Sequence, residues 1–172
     1  MEILEKSGEE YQRRKARFDS WLESVPRWHD HFVFTVNESV YFTKPAKPLK
    51  QSKVGLLSTA GIHLKTQKPF DVVSEYGDWS SREIPADSDP RQIAIADTHY
   101  DHSDADQDIN CIFPISHLNA LAQEGFIGSV AKTHYGFMGF IPNPAQLLAE
   151  TAPAAARSFI EQGVNLVLLT PG

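Results

Sequence analysis

The chain has 172 residues, with 16 Lys and Arg against 22 Asp and Glu and a formal net charge of −6. That balance argues against a nucleic-acid partner, because a phosphate backbone is bound by concentrated positive charge. The one cysteine, Cys111, cannot form an internal disulfide, and no apolar run approaches the roughly 20 residues that cross a bilayer. A cytoplasmic location with no membrane partner is therefore the expectation, and the N-terminus MEILEKSGEEYQRRK has no continuous apolar core of the secretory kind.

A length of 172 residues is expected to give a single α/β domain, with residues 1–50 as N-terminal helix, hairpin and connector. Ser7-Gly8-Glu9-Glu10 reads as a capping box, and Tyr11, Phe18, Trp21, Leu22 and Val25 recur at helical spacing until Pro26. The basic group Arg13, Arg14, Lys15 and Arg17 is interleaved with Glu9, Glu10, Asp19 and Glu23, which reads as a solvated helix face. Residues His31–Phe42 resemble a hairpin around Asn37-Glu38, and Lys44–Lys53 is a Lys-, Pro- and Gln-rich exposed connector.

The main unit begins with KVGLLSTAG, a short apolar run that predicts a buried strand opening into the loop Ser58–Gly61. Gln67–Asp89 is rich in Pro, Gly, Ser and Asp, and is expected to be an ordered excursion with little regular structure. Arg91–Ala96 predicts a second strand leading into DTHYDHSDADQDIN. Ser116 is placed to cap a helix through Leu118, Leu121 and Ala122 that stops at Gly125, and Ile127–Ala131 predicts a short strand.

Asn143-Pro144 opens a helix carrying Leu148, Ala152, Ala155, Phe159 and Ile160 on one face, with Pro153 positioned to kink or divide it. VNLVLLT predicts a buried parallel strand, so the segment from Val130 to Leu166 makes a crossover unit. The expected fold is α/β, a three-layer sandwich with a mostly parallel sheet and an N-terminal amphipathic helix.

Chemistry is expected where strands end in polar residues. His99 and Asp101 stand nearest one such end; a histidine there exchanges protons near neutrality, and a carboxylate can fix its tautomer. His134 and Tyr135 follow another predicted strand and either face His99 and Asp101 across a cleft or belong to a small core with Phe137, Met138 and Phe140. Arg82 either clamps a ligand carboxylate or pairs with Asp78 or Glu83.

Asp104, Asp106, Asp108 and Asn110 imitate a calcium loop, but Ile109 and Ile115 stand where its glycine and closing glutamate belong. No metal site is expected. Gly55 and Gly61 spell neither a dinucleotide fingerprint nor a phosphate loop, so no nucleotide or other cofactor is expected either. Cys111, between Asn110 and Ile112, reads as a small buried hydrophobe.

The ordered segments GLLSTAGIHLK, PFD, GDWSSREIP, THYDHSDADQDINCIFP, GSVAKTHYGFMGFIP and VNLVLLTPG resemble the selenoprotein B subunits of the glycine, sarcosine, betaine and D-proline reductases. The resemblance spans Val54 to Gly172. It implies a reductase-like component that binds a small amino acid or an N-methylated derivative, with a homo-oligomer or a redox-protein partner completing a larger assembly. It places Asp78 and Arg82 in one family loop, His99, Asp101, Asp108 and Asn110 in the following HYD-to-N segment and His134 and Tyr135 in the THY element, and it implies that Arg82, Asp78, Asp108 and Asn110 bind substrate while His99, Asp101, His134 and Tyr135 are catalytic. It also implies a Cys- or Sec-bearing segment after the last strand. None stands in this sequence, which reads as a shortened form or as a noncatalytic binding or assembly module.

Overall fold

In a computed structural model, which describes residues 43–172 together with Gly8, Glu9, Tyr11–Arg13, Lys15, Ala16 and Asp19, the run Lys53–Ser58 becomes β1 and the main sheet is built around it. Its apolar side chains serve both faces: Val54 and Leu56 belong to one core cluster, and Leu57 packs against another. Along one edge β1 is paired in parallel by β7 (Leu166–Thr170), from Val54 opposite Leu166 to Ser58 opposite Thr170.

The other edge is covered in two pieces. β5 (Ser129–Val130) pairs Lys53 and Val54, and β6 (Thr133–Gly136) pairs Leu57 and Ser58, both parallel. Between the two, Gly55 and Leu56 on β1 face the longer run Ala131–His134, so that side bulges and the regular ladder is interrupted. Side chains fill the gap: Gln162 Oε1 accepts from Lys132 N at 2.9 Å and from Thr133 N at 3.0 Å, and His134 Nδ1 accepts from Leu56 N at 3.0 Å. β3 (Arg82–Pro85) closes the far edge antiparallel to β6, a strand that the Pro- and Gly-rich composition of the excursion concealed.

Helix α1 (Ile115–Gln123) packs Ile115 and Leu118 with Val54 and Leu56, whereas α2 (Ala152–Glu161) packs Ala155 and Phe159 with Leu57, Tyr135 and Phe137. The sheet is mixed and mostly parallel within an α/β fold, but the arrangement is not a clear three-layer sandwich. On the α1 side, part of the layer is a second sheet of two antiparallel strands, β2 (Ile62–Leu64) and β4 (Ile93–Ile95), whose Ile62 and Ile93 share the α1 core. The strand expected at Arg91–Ala96 is thus present but pairs outside the main sheet.

A π-helical turn, Leu147–Thr151, precedes α2, and the change to α geometry falls at Ala152, one residue before Pro153, whose missing amide suits the first turn of a helix. Leu148 and Ile160, expected on the buried face, are exposed. β7 is parallel as predicted but pairs only with β1 among the described residues, with Leu169 67% exposed rather than buried.

The chain divides into two compact units, Met1–Phe34 and Thr35–Gly172. In the first, Glu9, Tyr11–Arg13, Lys15, Ala16 and Asp19 are helical, and Lys15 Nζ meets Asp19 at 2.5 Å one turn on, consistent with a solvated charged face. Ser7 and Glu10 of the expected cap, the apolar positions Phe18, Trp21, Leu22 and Val25, and the expected hairpin lie outside the described residues. In the second, the expected connector is exposed over residues 43–51, with a 3-10 turn at Leu49–Gln51, but Ser52 is fully buried and Lys53 already belongs to β1.

Candidate functional site

Parallel strands send their C-terminal ends to one side of a sheet, and the loops that leave them meet there. The end of β1 is tied to the end of β7 by Thr59 N donating to Thr170 O at 3.0 Å, and to β6 by Phe137 N donating to Ser58 O at 2.8 Å. Gly61 joins these loops to the segment after β4, donating to Phe137 O at 2.8 Å and accepting from Ala96 N at 3.0 Å. Tyr100 OH donates to Ala60 O at 3.0 Å, and a Cβ placed on Gly172 would lie 2.9 Å from Ala60 Cα and 3.0 Å from the Tyr100 ring.

His99 lies at this edge. Among the described residues its carboxylate partner is Asp97, not Asp101: Asp97 Oδ1 accepts from His99 N at 2.8 Å and pairs with His99 Nδ1 at 2.9 Å. Asp97 is 2% exposed, and the imidazole stacks on Phe140 with ring centroids 4.3 Å apart and planes 19° apart. Asp101 lies on the exposed side of the same loop, where Oδ1 accepts from Ser103 N at 3.3 Å. Burial raises the Tyr100 phenol well above its ordinary range, and the charges of Asp97 and Asp106 add to that.

His134 and Tyr135 are not brought together, because successive residues of a strand point to opposite faces. His134 is fully buried on the α1 side, its ring edge-on to Phe113 with centroids 6.1 Å apart. Since Nδ1 accepts the Leu56 amide, the neutral ring carries its proton on Nε2, which has no hydrogen-bond partner among the described residues. Burial pushes its pKa down to about 4. Tyr135 packs edge-on against Phe159 in the α2-side core, at 5.2 Å between centroids.

Arg82 is spent on the excursion. Nε donates to Lys68 O at 2.8 Å, Nη1 to Ser80 Oγ at 2.7 Å and Ser81 O at 3.0 Å, and Nη2 to Pro69 O at 3.2 Å, with Asp78 Oδ2 at 3.7 Å. The guanidinium lies 4.1 Å from the centroid of Phe70, which packs in turn with Met138. Burial would raise the Asp78 carboxyl, but hydrogen bonds from Ser80 and Asp71, with Arg82 nearby, bring it below its usual range.

Asp108 and Asn110 form a turn that starts α1. Asp108 Oδ1 accepts from Asn110 N and Nδ2 at 3.0 and 2.8 Å, which lowers its pKa, and Asn110 Oδ1 accepts from Ser116 N at 3.1 Å. The side-chain cap expected from Ser116 therefore comes from Asn110. Cys111 is exposed rather than buried, at the end of the 3-10 turn Ile109–Cys111. No cluster of His, Cys, Asp or Glu among the described residues is arranged to hold a metal ion, and no described helix is long and apolar enough to cross a membrane.

The family model for glycine/sarcosine/betaine reductase selenoprotein B matches residues 26–172. The chain belongs to this family. Across 131 residues it is 40% identical to the D-proline reductase subunit gamma of Acetoanaerobium sticklandii, a match covering 76% of this chain and 53% of that protein. The chain thus spans about half the length of this curated relative. No solved structure matches it.

Asp97 is the site residue that reading the sequence overlooked. It directly follows the apolar run that becomes β4, and its one available signal was its place two residues before His99, the spacing at which an Asp side chain accepts from the backbone amide.

Proposed function

We propose that the chain is a reductase-like component that binds a small amino acid or an N-methylated derivative at the sheet edge where β1, β6 and β7 end. The observation that carries this reading is the family match, which runs through every loop of that edge, from Thr59–Gly61 to Pro171–Gly172. His99 is the proton-transfer group, and Asp101 belongs to the same loop. Arg82 and Asp78 shape the excursion behind Met138, while Asp108 and Asn110 fix the loop in front of α1. His134 and Tyr135 support the edge from the two cores.

Reduction delivers electrons along with protons, and a dithiol cycle takes two sulfur or selenium atoms where this sequence holds one cysteine. The electron-carrying group is then supplied from outside these residues, by a redox-protein partner, another subunit or a further stretch of the same protein. The test is to incubate the purified chain with glycine, sarcosine, betaine or D-proline and a dithiol, with and without extract of the source cell. Calorimetry on the same compounds runs alongside. Turnover that needs the extract and is lost in His99→Ala is the expected result. Absence of both binding and turnover in every setting overturns the reading. Ligand binding without turnover would instead favour a binding or assembly module.

A further inference from the structure

We infer that Asp97 is a positioning residue that holds the Nδ1 proton of His99 and so fixes the tautomer and rotation of its ring. One oxygen of Asp97 receives both the backbone amide and the ring nitrogen of His99, at 2.8 and 2.9 Å. A carboxylate can only accept, so the proton of that ring contact sits on Nδ1. The carboxylate is 2% exposed, and a buried charge persists only where donors are fixed around it.

The surroundings leave Asp97 its space. Gly61 adopts φ +68, and a Cβ there would fall 2.8 Å from both Asp97 Cβ and Asp97 N; a Cβ on Gly139 would fall 3.4 Å from Asp97 Oδ2. The loops after β1 and β6 thus both yield room to the same carboxylate. Phe140, next to Gly139, stacks on the imidazole at 4.3 Å, so the ring is fixed in its plane by Phe140 and in its rotation by Asp97. A ring so held keeps its proton on Nδ1 and presents one tautomer. The part this plays in turnover rests on the function proposed above; the placement of the proton does not.

The test is nitrogen-15 NMR of histidine-labelled protein across the neutral pH range. A protonated Nδ1 at His99 throughout is expected in the wild type. Asp97→Asn, which retains an acceptor oxygen, is expected to keep that signature. Asp97→Ala is expected to lose it, the neutral ring moving toward the Nε2–H form that free histidine prefers, with kcat lower by about tenfold or more and ligand affinity little changed.

An unprotonated Nδ1 in the wild type, or identical His99 spectra in wild type and Asp97→Ala, overturns the inference. Should Asp97→Ala fail to fold, the wild-type spectrum decides alone. A protonated Nδ1 in a protein that turns over no candidate substrate supports the placement and counts against the reductase reading.

Discussion

Leu56 on β1 donates its backbone amide to Nδ1 of His134 on β6 at 3.0 Å, so a side chain supplies the acceptor that the interrupted ladder withholds. The bond needs the neutral ring. Burial lowers the folded pKa of His134 from 6.5 to about 4, so between these values the unfolded chain takes up a proton that the folded one refuses. This contribution to stability is complete above pH 6.5 and is lost as the pH falls toward 4. Urea unfolding of wild type and His134→Gln across that window should show the difference between them shrink on acidification, by up to about 3 kcal/mol. A constant difference would contradict the buried neutral histidine.

Gln162, just past α2, holds the amides of Lys132 and Thr133 with one oxygen. Gln162→Ala leaves both donors without it, at an expected cost of about 1–3 kcal/mol. Hydrogen exchange should accelerate at those two amides first, while Gln162→Glu, which keeps an acceptor, should protect them.

Arg82 distributes its donors over Lys68, Pro69, Ser80 and Ser81, a fan that an ammonium group cannot reproduce. Arg82→Lys is expected to cost about 1–3 kcal/mol and to loosen the excursion. Faster chymotrypsin cleavage at Tyr76, which is already 62% exposed, is the readout; unchanged cleavage would show that other contacts hold this segment.

Gly61 and Gly125 have similar positive φ values, +68 and +74, but a Cβ would strike Asp97 at the first and meet nothing within 4 Å at the second. Gly125→Ala should therefore cost about 1 kcal/mol from backbone strain alone. Gly61→Ala should cost measurably more in the same denaturation assay and should shift the ring resonances of His99. Equal costs would mean that Asp97 moves aside freely.

The strands β1 and β7 were legible because unbroken apolar runs that end in loop residues are what parallel pairing looks like in sequence. The division of the second long helix near Pro153 was legible for an equally local reason, a missing amide. Pairing itself was not legible. Nothing in Ile93–Ile95 shows that its partner is Ile62–Leu64 rather than β1, and nothing in Thr133-His134-Tyr135 shows that the two ring-bearing residues diverge until the segment is known to be a strand. Asp97 was hidden by the same gap, because its partners Gly61, Gly139 and Phe140 come together only through β1 and β6.

β1 takes its neighbours on both edges from segments that follow Ser129, and its full-length partner is the last strand. On a ribosome, the nascent polypeptide therefore carries a sticky apolar ribbon with both sides bare until β5, β6 and β7 have been synthesised. Pairing along that edge therefore waits on translation of β7, and the interval before it leaves an aggregation-prone strand uncovered.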